Sequence, residues 1–364
     1  MPAAASGTPA PAGRSRRSFA GVKPVMDDVA RLAGVSKQTV SRVLNENPSV
    51  RPETRTKVLA AMSELGYRPS SSARSLASGR TRILGVISFD AARHGPASIL
   101  TAINTEARET GYLISSIALP PSDAGSVMQA VERLAAEGAD GVIAIAPQQH
   151  TDKALTDVVP AIPLVTVDSH LGSDTPVVTS DSAAGAGLAV EHLLALGHST
   201  VWHIAGPVGW LAAEQRVLGW RRALEAAGAD VPDPLIGDWS ASSGYSLGRQ
   251  LASRADVTAV FAANDHMALG VLRALHEGGR RVPDDVSVIG YDDIPEAPYL
   301  LPPLTTVHND FAETGRRALH LLLRQLQPDA ARDVRSLVPV ELIVRDSAGR
   351  APRQAGVRGS AKAP

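Results

Sequence analysis

Residues 26–45 have the sequence MDDVARLAGVSKQTVSRVLN, which predicts two short helices joined by a tight turn. Asp27 and Asp28 lie where a helix N-terminus favours acids, and apolar residues follow them at helical spacing. Gly34 is expected to end the first helix, and Ser36 can cap a second helix over residues 37–44. This arrangement is a helix-turn-helix, whose second helix enters the major groove of DNA.

The second predicted helix has one apolar and one polar face. Val40, Val43 and Leu44 are expected to point inward. The opposite face and the position just beyond it carry Lys37, Gln38, Thr39, Ser41, Arg42 and Asn45. Ammonium, amide, hydroxyl and guanidinium groups are suited to base edges and phosphates, although a solvated helix face is the alternative for any such surface taken alone.

Composition and charge limit the class of protein. The chain has 364 residues, is 44% apolar and contains no cysteine, which favours two or three globular units and excludes disulfides. The sequence has no apolar run of the length that a membrane span needs, so no membrane partner is expected. Residues 1–80 carry a net charge of +8 and the rest of the chain −9. A basic front segment on an acidic body is typical of a two-part DNA-binding protein.

The two ends of the sequence are low in complexity. Residues 1–24 are rich in Ala, Pro and Gly and contain an arginine cluster, so they predict a disordered basic arm. Residues 347–364 predict a disordered tail for the same reason. Residues 16–19 are similar to part of a twin-arginine export signal, but Lys23 and Pro24 interrupt the apolar stretch that export requires. A cytoplasmic, nucleoid-associated location is therefore expected.

From residue 82 onward, short apolar strands alternate with amphipathic helices, which is typical of parallel βαβ units. The predicted strands are 83–89, 113–118, 141–146, 164–168, 200–205, 259–263 and 286–291. The predicted helices are 97–110, 126–137, 182–196, 211–227, 242–252, 266–277 and 310–326. These elements are enough for two sheets, and two such domains facing each other form a ligand-binding cleft.

Polar residues follow several of these strands directly. Asp90, Asp168, Asn264 and Asp292 each come at or just after a strand end. Open parallel sheets bind ligands at this edge, so these residues are candidates for a polar binding site. Asp168 and Asp292 could instead cap neighbouring helices.

No motif points clearly to catalysis or to a cofactor. Residues 244–248 fit G-x-S-x-G, the nucleophile elbow of hydrolases, but the serines before it do not form the apolar strand that an elbow needs. His192, His198 and His203 lack the carboxylate or cysteine neighbours of a metal site. No catalytic residue, metal or cofactor is therefore expected. The open alternative is glycoside hydrolysis by Asp168 and Asp292 as a carboxylate pair.

The stretch DVARLAGVSKQTVSRVLN closely resembles the DNA-binding headpiece of the lac repressor family (LacI/GalR). The match continues through Pro52 and a third helix over residues 55–65. Arg51 replaces a capping hydroxyl of the family, which should loosen that helix start by about 1 kcal/mol. The sequence ARSLA at residues 73–77 resembles the family's hinge helix, in which Leu76, followed by Ala77, would enter the minor groove and kink the duplex.

The rest of the chain resembles the effector core of the same family, and most closely its name-giving member. The matching segments are GDWSASSGYS from Gly237, ANDHMALG from Ala263, VIGYDD from Val288 and PPLTTVHNDF from Pro302. The implied fold is α/β, with an all-α headpiece and two doubly wound parallel-sheet subdomains of periplasmic-binding-protein type. The implied boundaries are headpiece 25–69, hinge 70–81, first subdomain 82–180 plus 310–338, and second subdomain 181–308 plus 339–346.

The resemblance also assigns an effector site. Its residues are Arg93, Ile99, Asp168, Arg216, Trp239, Asn264, Asp292, Asn309 and Phe311. Asp, Asn and Arg side chains suit sugar hydroxyls, and Trp239 or Phe311 suits the apolar face of a pyranose, although Trp239 could also be ordinary core. Four positions depart from the family's name-giving member. They are Ile145 for an asparagine, Ala212 for a serine, Asn309 for a glutamine and Arg93 for a leucine.

The resulting hypothesis is a homodimeric repressor of double-stranded operator DNA that a small sugar, a galactoside by preference, releases. The departures at the site allow a different sugar or a charged substituent. Purine-binding relatives couple ligand and DNA binding with the opposite sign, so a co-repressor ligand is the first alternative. A sugar-binding transport protein with the same core is the second alternative.

Overall fold

The structure is a computed structural model that describes residues 24–44, 47–68, 80–119, 126–145, 155, 162–169, 175–327 and 335–352. The predicted basic arm before Pro24 lies outside these ranges, as do Asn45, Leu76 and Ala77 and the tail beyond residue 352. The chain divides into two units, Met1–Thr81 and Arg82–Pro364, and each is described by itself.

The first unit contains three helices around a small apolar core. They are α1 (Met26–Ala33), α2 (Lys37–Leu44) and α3 (Pro52–Leu65). Val29, Val40, Val43 and Val58 are buried at their centre. Leu32, which shares the apolar spacing of α1, is instead 46% exposed, because Ala30 occupies the inward position. The core of this unit therefore rests mainly on valines.

Local sequence explains how these helices begin and end. Gly34 adopts φ 67°, in the left-handed region that glycine favours, and donates its N–H to Ala30 O, which ends α1. The Ser36 hydroxyl accepts a hydrogen bond from Thr39 N at 3.2 Å and so caps α2. Helix α3 begins at Pro52, which suits a first helical position, and Arg51 before it makes no side-chain cap bond.

The second unit contains two six-stranded sheets. The amino-terminal sheet has the order β11-β5-β4-β3-β1-β2, and the carboxy-terminal sheet has the order β12-β10-β9-β8-β6-β7. The strands of the first are β1 (Ile83–Phe89), β2 (Leu113–Leu119), β3 (Gly141–Ile145), β4 (Leu164–Val167), β5 (Val177–Ser180) and β11 (Arg335–Val338). Those of the second are β6 (Trp202–Ala205), β7 (Leu235–Ile236), β8 (Ala259–Ala262), β9 (Ser287–Asp292), β10 (Thr305–Asn309) and β12 (Val340–Ile343).

Helices cover both faces of each sheet. Those on the amino-terminal sheet are α4 (His94–Glu109), α5 (Ser126–Ala136) and α10 (Phe311–Gln325). Those on the carboxy-terminal sheet are α6 (Ser182–Ala195), α7 (Leu211–Ala226), α8 (Ala241–Ala252) and α9 (Asp265–Glu277). The chain passes between the sheets after β5, β10 and β11, so each sheet is built from separate stretches of sequence.

Five strands were missing from the sequence-based prediction: β5, β7, β10, β11 and β12. They contain two to five residues each, and a strand of this length shows a clear apolar pattern only where flanking residues extend it, as around β4, β6 and β8. Strand β12 also pairs antiparallel with β10, with Thr306 opposite Ile343, although the other described pairs are parallel. These strands are defined by their neighbours in the sheet rather than by their own sequence.

The predicted disordered tail does not begin at Ser347, because residues 347–352 are packed on the carboxy-terminal sheet. Ser347 is fully buried, and its hydroxyl donates to Val288 O at 2.6 Å and accepts from Thr305 N at 2.8 Å. Gly349 N donates to Ser287 Oγ at 2.9 Å, and Ala351 N donates to Leu196 O at 3.0 Å. These hydrogen bonds hold residues 347–352 in place, although the composition of the segment predicts disorder.

Helices α6 and α7 pack together at close range through Gly219. A Cβ atom at Gly219 would overlap the backbone carbonyl of Ala183 in α6, which cannot move as a flexible side chain could. Gly187, also within α6, has open space around the same position. One glycine is therefore required by packing and the other is not.

We expect Gly219→Ala to lower the free energy of unfolding by about 1–3 kcal/mol, because the new methyl group forces the two helices apart. Gly187→Ala should instead raise it by up to about 1 kcal/mol, because alanine has the higher helix propensity. Urea denaturation of the full chain, followed by circular dichroism, measures both. Equal effects of the two substitutions would contradict the close packing at Gly219.

Candidate functional site

A cavity of about 320 Å³ lies at the carboxyl ends of strands from both sheets of the second unit. Asp168 follows β4, Asp292 ends β9 and Asn309 ends β10. All nine effector residues named from the sequence line this cavity: Arg93, Ile99, Asp168, Arg216, Trp239, Asn264, Asp292, Asn309 and Phe311. The structure therefore brings together residues that lie up to 218 positions apart in the sequence.

Left-handed backbone conformations occur at several strand ends around the cavity. Asp90, Asp168, Trp239 and Asp292 have φ angles of 51°, 54°, 70° and 106°. Such angles are uncommon for residues other than glycine and cost of order 1–3 kcal/mol each. The surrounding structure holds the backbone in these conformations. The positive φ angles turn the residues away from the strand direction at the carboxyl-terminal edge of the sheets.

Arg216 on α7 is the charged centre of the cavity wall. Its guanidinium donates to the backbone carbonyl of Ala263 and, at 3.3 Å, to Asp292 Oδ1. It also lies over the ring of Tyr291, 3.6 Å from the centroid. Arg216 is only 4% exposed, so its charge is compensated almost entirely by these protein groups.

Two aspartates of the cavity, the buried Asp292 and the half-buried Asp168, have raised pKa values. Burial raises the pKa of Asp292 to about 6, and the Arg216 guanidinium opposes this rise. Burial also raises the pKa of Asp168, which the hydrogen bond from Thr179 Oγ1 at 3.0 Å opposes. Neither residue is the N-cap of a described helix, so the capping alternative does not account for them.

Asn264 does cap a helix. Its side-chain oxygen accepts from Met267 N at 2.9 Å at the start of α9, and its Nδ2 donates to Trp239 O at 3.1 Å. One amide hydrogen and one lone pair remain for a ligand. Asn264 therefore has a structural role in holding Trp239 in place besides lining the cavity.

Three polar atoms of the cavity wall have no hydrogen-bond partner among the described residues. They are Arg216 Nε, Trp239 Nε1 and Asn309 Oδ1, and all three are buried. A buried polar group without a partner costs about 1–3 kcal/mol. This cost would be recovered by a ligand that both donates and accepts hydrogen bonds.

Aromatic rings form another part of the wall. Trp239 meets Trp210 edge to face with centroids 5.8 Å apart, and His94 meets Phe311 in the same way at 5.5 Å. His266 lies 6.1 Å from His94. Burial lowers the pKa of His94, which Glu296 opposes. These rings make the cavity suitable for an organic ligand with apolar faces.

Sequence reasoning missed several lining residues. They are Ala92, His94, Gly95, Pro96, Ser180, Ser240, Ala241 and His266. His94 follows Asp90 after β1, and His266 follows Asn264 after β8, so their positions beyond strand ends were a usable signal. One donor of the Arg93 guanidinium is already used, because its Nε donates to Asp90 Oδ2 at 3.0 Å.

The second candidate surface is the polar face of α2 in the first unit. Lys37, Gln38 and Arg42 are exposed, whereas Thr39 and Ser41 are half-buried. The Thr39 hydroxyl lies 2.9 Å from Ser36 Oγ within the helix cap. The longest donors of α2 therefore project from the helix start and its outer face, where a nucleic acid could reach them.

The other motifs noted in the sequence have structural roles. The G-x-S-x-G stretch lies inside α8, so it is not a strand-to-helix elbow. His198 lies within 3.1 Å of Thr258 Oγ1, Ser287 Oγ and Gly349 O, and burial lowers its pKa. Burial lowers the pKa of His203 to about 4.

Within the described ranges, no helix is long and apolar enough to cross a membrane.

The chain combines a helix-turn-helix unit with a two-sheet, cleft-containing unit, which defines a class of ligand-responsive DNA-binding regulators. Residues 25–70 match the family described as bacterial regulatory proteins, lacI family, and residues 190–348 match the periplasmic binding protein-like domain. The chain belongs to the lacI family of bacterial transcription regulators.

Several bacterial transcription regulators are similar to it. The lactose operon repressor of Escherichia coli K12 is 37% identical over 329 residues, which cover 89% of this chain and 91% of that protein. The ribose operon repressor of the same organism is 34% identical, with 89% and 99% covered. The transcriptional regulator CelR of Thermobifida fusca is 34% identical, with 89% and 98% covered.

Solved structures of the lac repressor and of CelR are also similar to this chain. The lac repressor dimer bound to operator and the anti-inducer ONPF has a TM-score of 0.80 at 35% identity and covers 90% of this chain and 100% of its own. The CelR–cellobiose complex has a TM-score of 0.67 at 32% identity, with 89% and 100% covered. The predicted α/β fold with a helix-turn-helix headpiece is confirmed.

Asp265 is a buried acid directly behind the cavity. Its Oδ2 accepts from Ile294 N at 2.9 Å and its Oδ1 from Thr306 Oγ1 at 2.5 Å, which ties the segments around β9 and β10 to the start of α9. Burial raises its pKa to about 8, and the nearby charge of Asp292 raises it further. Gly290 has no room for a side chain, because a Cβ there would overlap this carboxylate.

The raised pKa of Asp265 predicts a loss of stability with rising pH. Between its unfolded pKa of about 3.9 and its folded pKa of about 8, the folded chain keeps a proton that the unfolded chain has lost. The free energy of unfolding of the wild type should therefore fall between pH 6.5 and 8 relative to that of Asp265→Asn, as urea denaturation would measure. Substitution of the exposed Asp233 by Asn should keep the wild-type trend. An unchanged pH trend in Asp265→Asn would refute the assignment.

Proposed function

We propose that this protein is a transcriptional repressor that binds a palindromic operator as a homodimer and releases it when a small sugar occupies the cavity. The observation that carries the proposal is the convergence of all nine sequence-assigned effector residues on one cavity, in a chain that also has a helix-turn-helix. The protein would work in the cytoplasm, associated with the nucleoid. It would need no cofactor and no metal.

The DNA-binding step follows from the exposed face of α2. Lys37, Gln38 and Arg42 would contact base edges in the major groove, with Thr39, Ser41 and Asn45 on phosphates. A dimer would place two such helices in successive grooves. Residues Leu76 and Ala77 of the two hinges would pair at the operator centre, where Leu76 would enter the minor groove at a flexible pyrimidine-purine step.

The sugar-binding step uses the charged and the unpartnered groups of the cavity. Asp168 and Asp292 would accept from sugar hydroxyls, and the buried Arg216 Nε and Trp239 Nε1 would donate to them. The indole of Trp239 and the ring of Phe311 would lie on the apolar faces of the sugar and of its substituent. Arg93 and Ile99 would border the substituent, and Asn264 would support the site through its bond to Trp239.

A galactoside is the effector that we propose first, because the lactose operon repressor is among the most similar relatives. Ile145 and Ala212 present no polar group at two positions of the cavity wall, which favours a ligand with fewer hydroxyl contacts there. The ribose operon repressor and the CelR–cellobiose complex direct the test toward pentoses and β-glucosides as well.

We further propose that the cavity binds its sugar without converting it. A glycosidase needs one carboxylic acid free to protonate the leaving group and a second carboxylate opposite it. Here Asp292 accepts from Arg216, and Asp168 accepts from Thr179, so both carboxylates already serve as acceptors. A chromogenic galactoside incubated with the protein should remain intact, and measurable turnover would contradict this proposal.

We expect one sugar of a panel of galactosides, glucosides and pentoses to weaken operator binding. The operator would be selected from a random DNA pool, and binding would be titrated by fluorescence anisotropy at fixed salt. Linkage requires that the same sugar bind less tightly, by the same factor, when operator is present. A ligand that tightened DNA binding would indicate a co-repressor instead.

Asn309→Ala should weaken sugar binding about tenfold, because it removes one buried acceptor worth about 1–1.5 kcal/mol to the complex. Operator affinity without sugar should not change, because Asn309 Oδ1 has no partner among the described residues. Isothermal titration calorimetry and anisotropy measure the two affinities. Asp233→Asn, on an exposed residue away from the cavity, is the matched control; unchanged sugar affinity in Asn309→Ala would remove this residue from the site.

A further inference from the structure

Asp27 and Lys37 form an ion pair between the first two helices of the headpiece. Asp27 lies in the first turn of α1, and Lys37 is the first residue of α2. Lys37 Nζ donates to Asp27 Oδ2 at 3.2 Å, and the two side chains are 61% and 56% exposed. The pair therefore lies on the surface at the start of the helix that would enter the major groove.

The neighbouring Asp28 has a different role. Its carboxylate accepts from Val25 N at 3.0 Å and pairs with Arg31 at 3.2 Å, so it caps α1 and supports the helix. Asp27 takes no part in this cap, and Lys37 is its partner in the described residues. Asp27 also lies in the first turn, where an acid is favourable to the helix dipole, but its carboxylate is bonded to Lys37 of α2 and not to the backbone of α1.

An acid at this place opposes DNA binding unless it is paired. A lone carboxylate in the groove would be repelled by the phosphates on either side. Next to Lys37 its charge is compensated, and the attraction within the pair grows as DNA displaces water and lowers the local dielectric constant. One of the three ammonium donors of Lys37 is used by Asp27, which leaves two for a base.

We propose that Asp27 and Lys37 act as one unit that selects a single G·C base pair in each half of the operator. Lys37 donates to guanine O6 and N7, the acceptor pair that lysine and arginine recognise in the major groove. Asp27 holds the ammonium in place, accepts from the cytosine amino group and repels the O4 acceptor of thymine. This inference rests on the proposed operator binding.

The test compares the full-length wild type with Asp27→Asn, each used to select operators from a random DNA pool. The substitution keeps the size of the side chain but removes its charge. We expect the preference for one G·C pair per half-site to fall about tenfold, or about 1.4 kcal/mol, because Lys37 loses the partner that holds its donors toward guanine. Affinity for nonspecific DNA should rise, because one repulsive charge is lost.

Glu64→Gln is the matched control. Glu64 is an exposed acid on α3, so this variant loses the same charge from the same unit without touching α2. It should show the rise in nonspecific affinity without any change of base preference. A loss of base preference in both variants would mean that net charge, and not the pair, decides the preference, which would overturn the proposal.

A double-mutant cycle with Lys37→Met tests the coupling directly. If the pair acts as a unit, Asp27→Asn should lower the G·C preference of the wild type but not that of Lys37→Met. An unchanged motif in Asp27→Asn, or additive losses in the double variant, would overturn the inference while leaving the repressor function intact. Failure of the wild type to select any palindrome would overturn the proposed function and this inference together.

Discussion

The buried ion pair of Arg216 and Asp292 is the interaction on which the effector cavity depends. It joins α7 to the end of β9, and the second bond of Arg216 reaches the backbone after β8. Removing one partner of such a pair typically costs 3–5 kcal/mol, because the other charge remains buried. Burying the two charges is costly, but their ion pair fixes a carboxylate and a guanidinium in the wall of the cavity, where a ligand can bind them.

Residues with strained backbone and the start of α9 lie together at the carboxyl-terminal edge of the sheets. Asp168 and Asp292 turn out of their strands with positive φ angles, and Asn264 caps α9 while holding Trp239. Parallel strands that end side by side make this collection possible, because their polar end residues meet at one edge. Local strain and cavity chemistry are therefore consequences of one topology.

Much of the fold could be predicted from local patterns. The headpiece helices follow from Gly34, Ser36 and the spacing of Val40 and Val43, all of which act within a few residues. The long helices of the second unit agree with the predicted ranges to within a few residues at each end. Asp168, Asn264 and Asp292 could be predicted from their positions at strand ends, whereas the other cavity residues were predicted from family resemblance. Neither spacing nor composition could have identified Arg216 or Phe311.

The amino-acid sequence by itself determined the helices, strands β1–β4, β6, β8 and β9, the two-part charge distribution and the class of protein, because caps, apolar periods and charge runs act over short distances. The tertiary structure alone decided the short strands β5, β7 and β10–β12, the packing of Ser347 and the raised pKa of Asp265. Each of these depends on groups distant in sequence, and desolvation and strand pairing exist only once those groups are packed together.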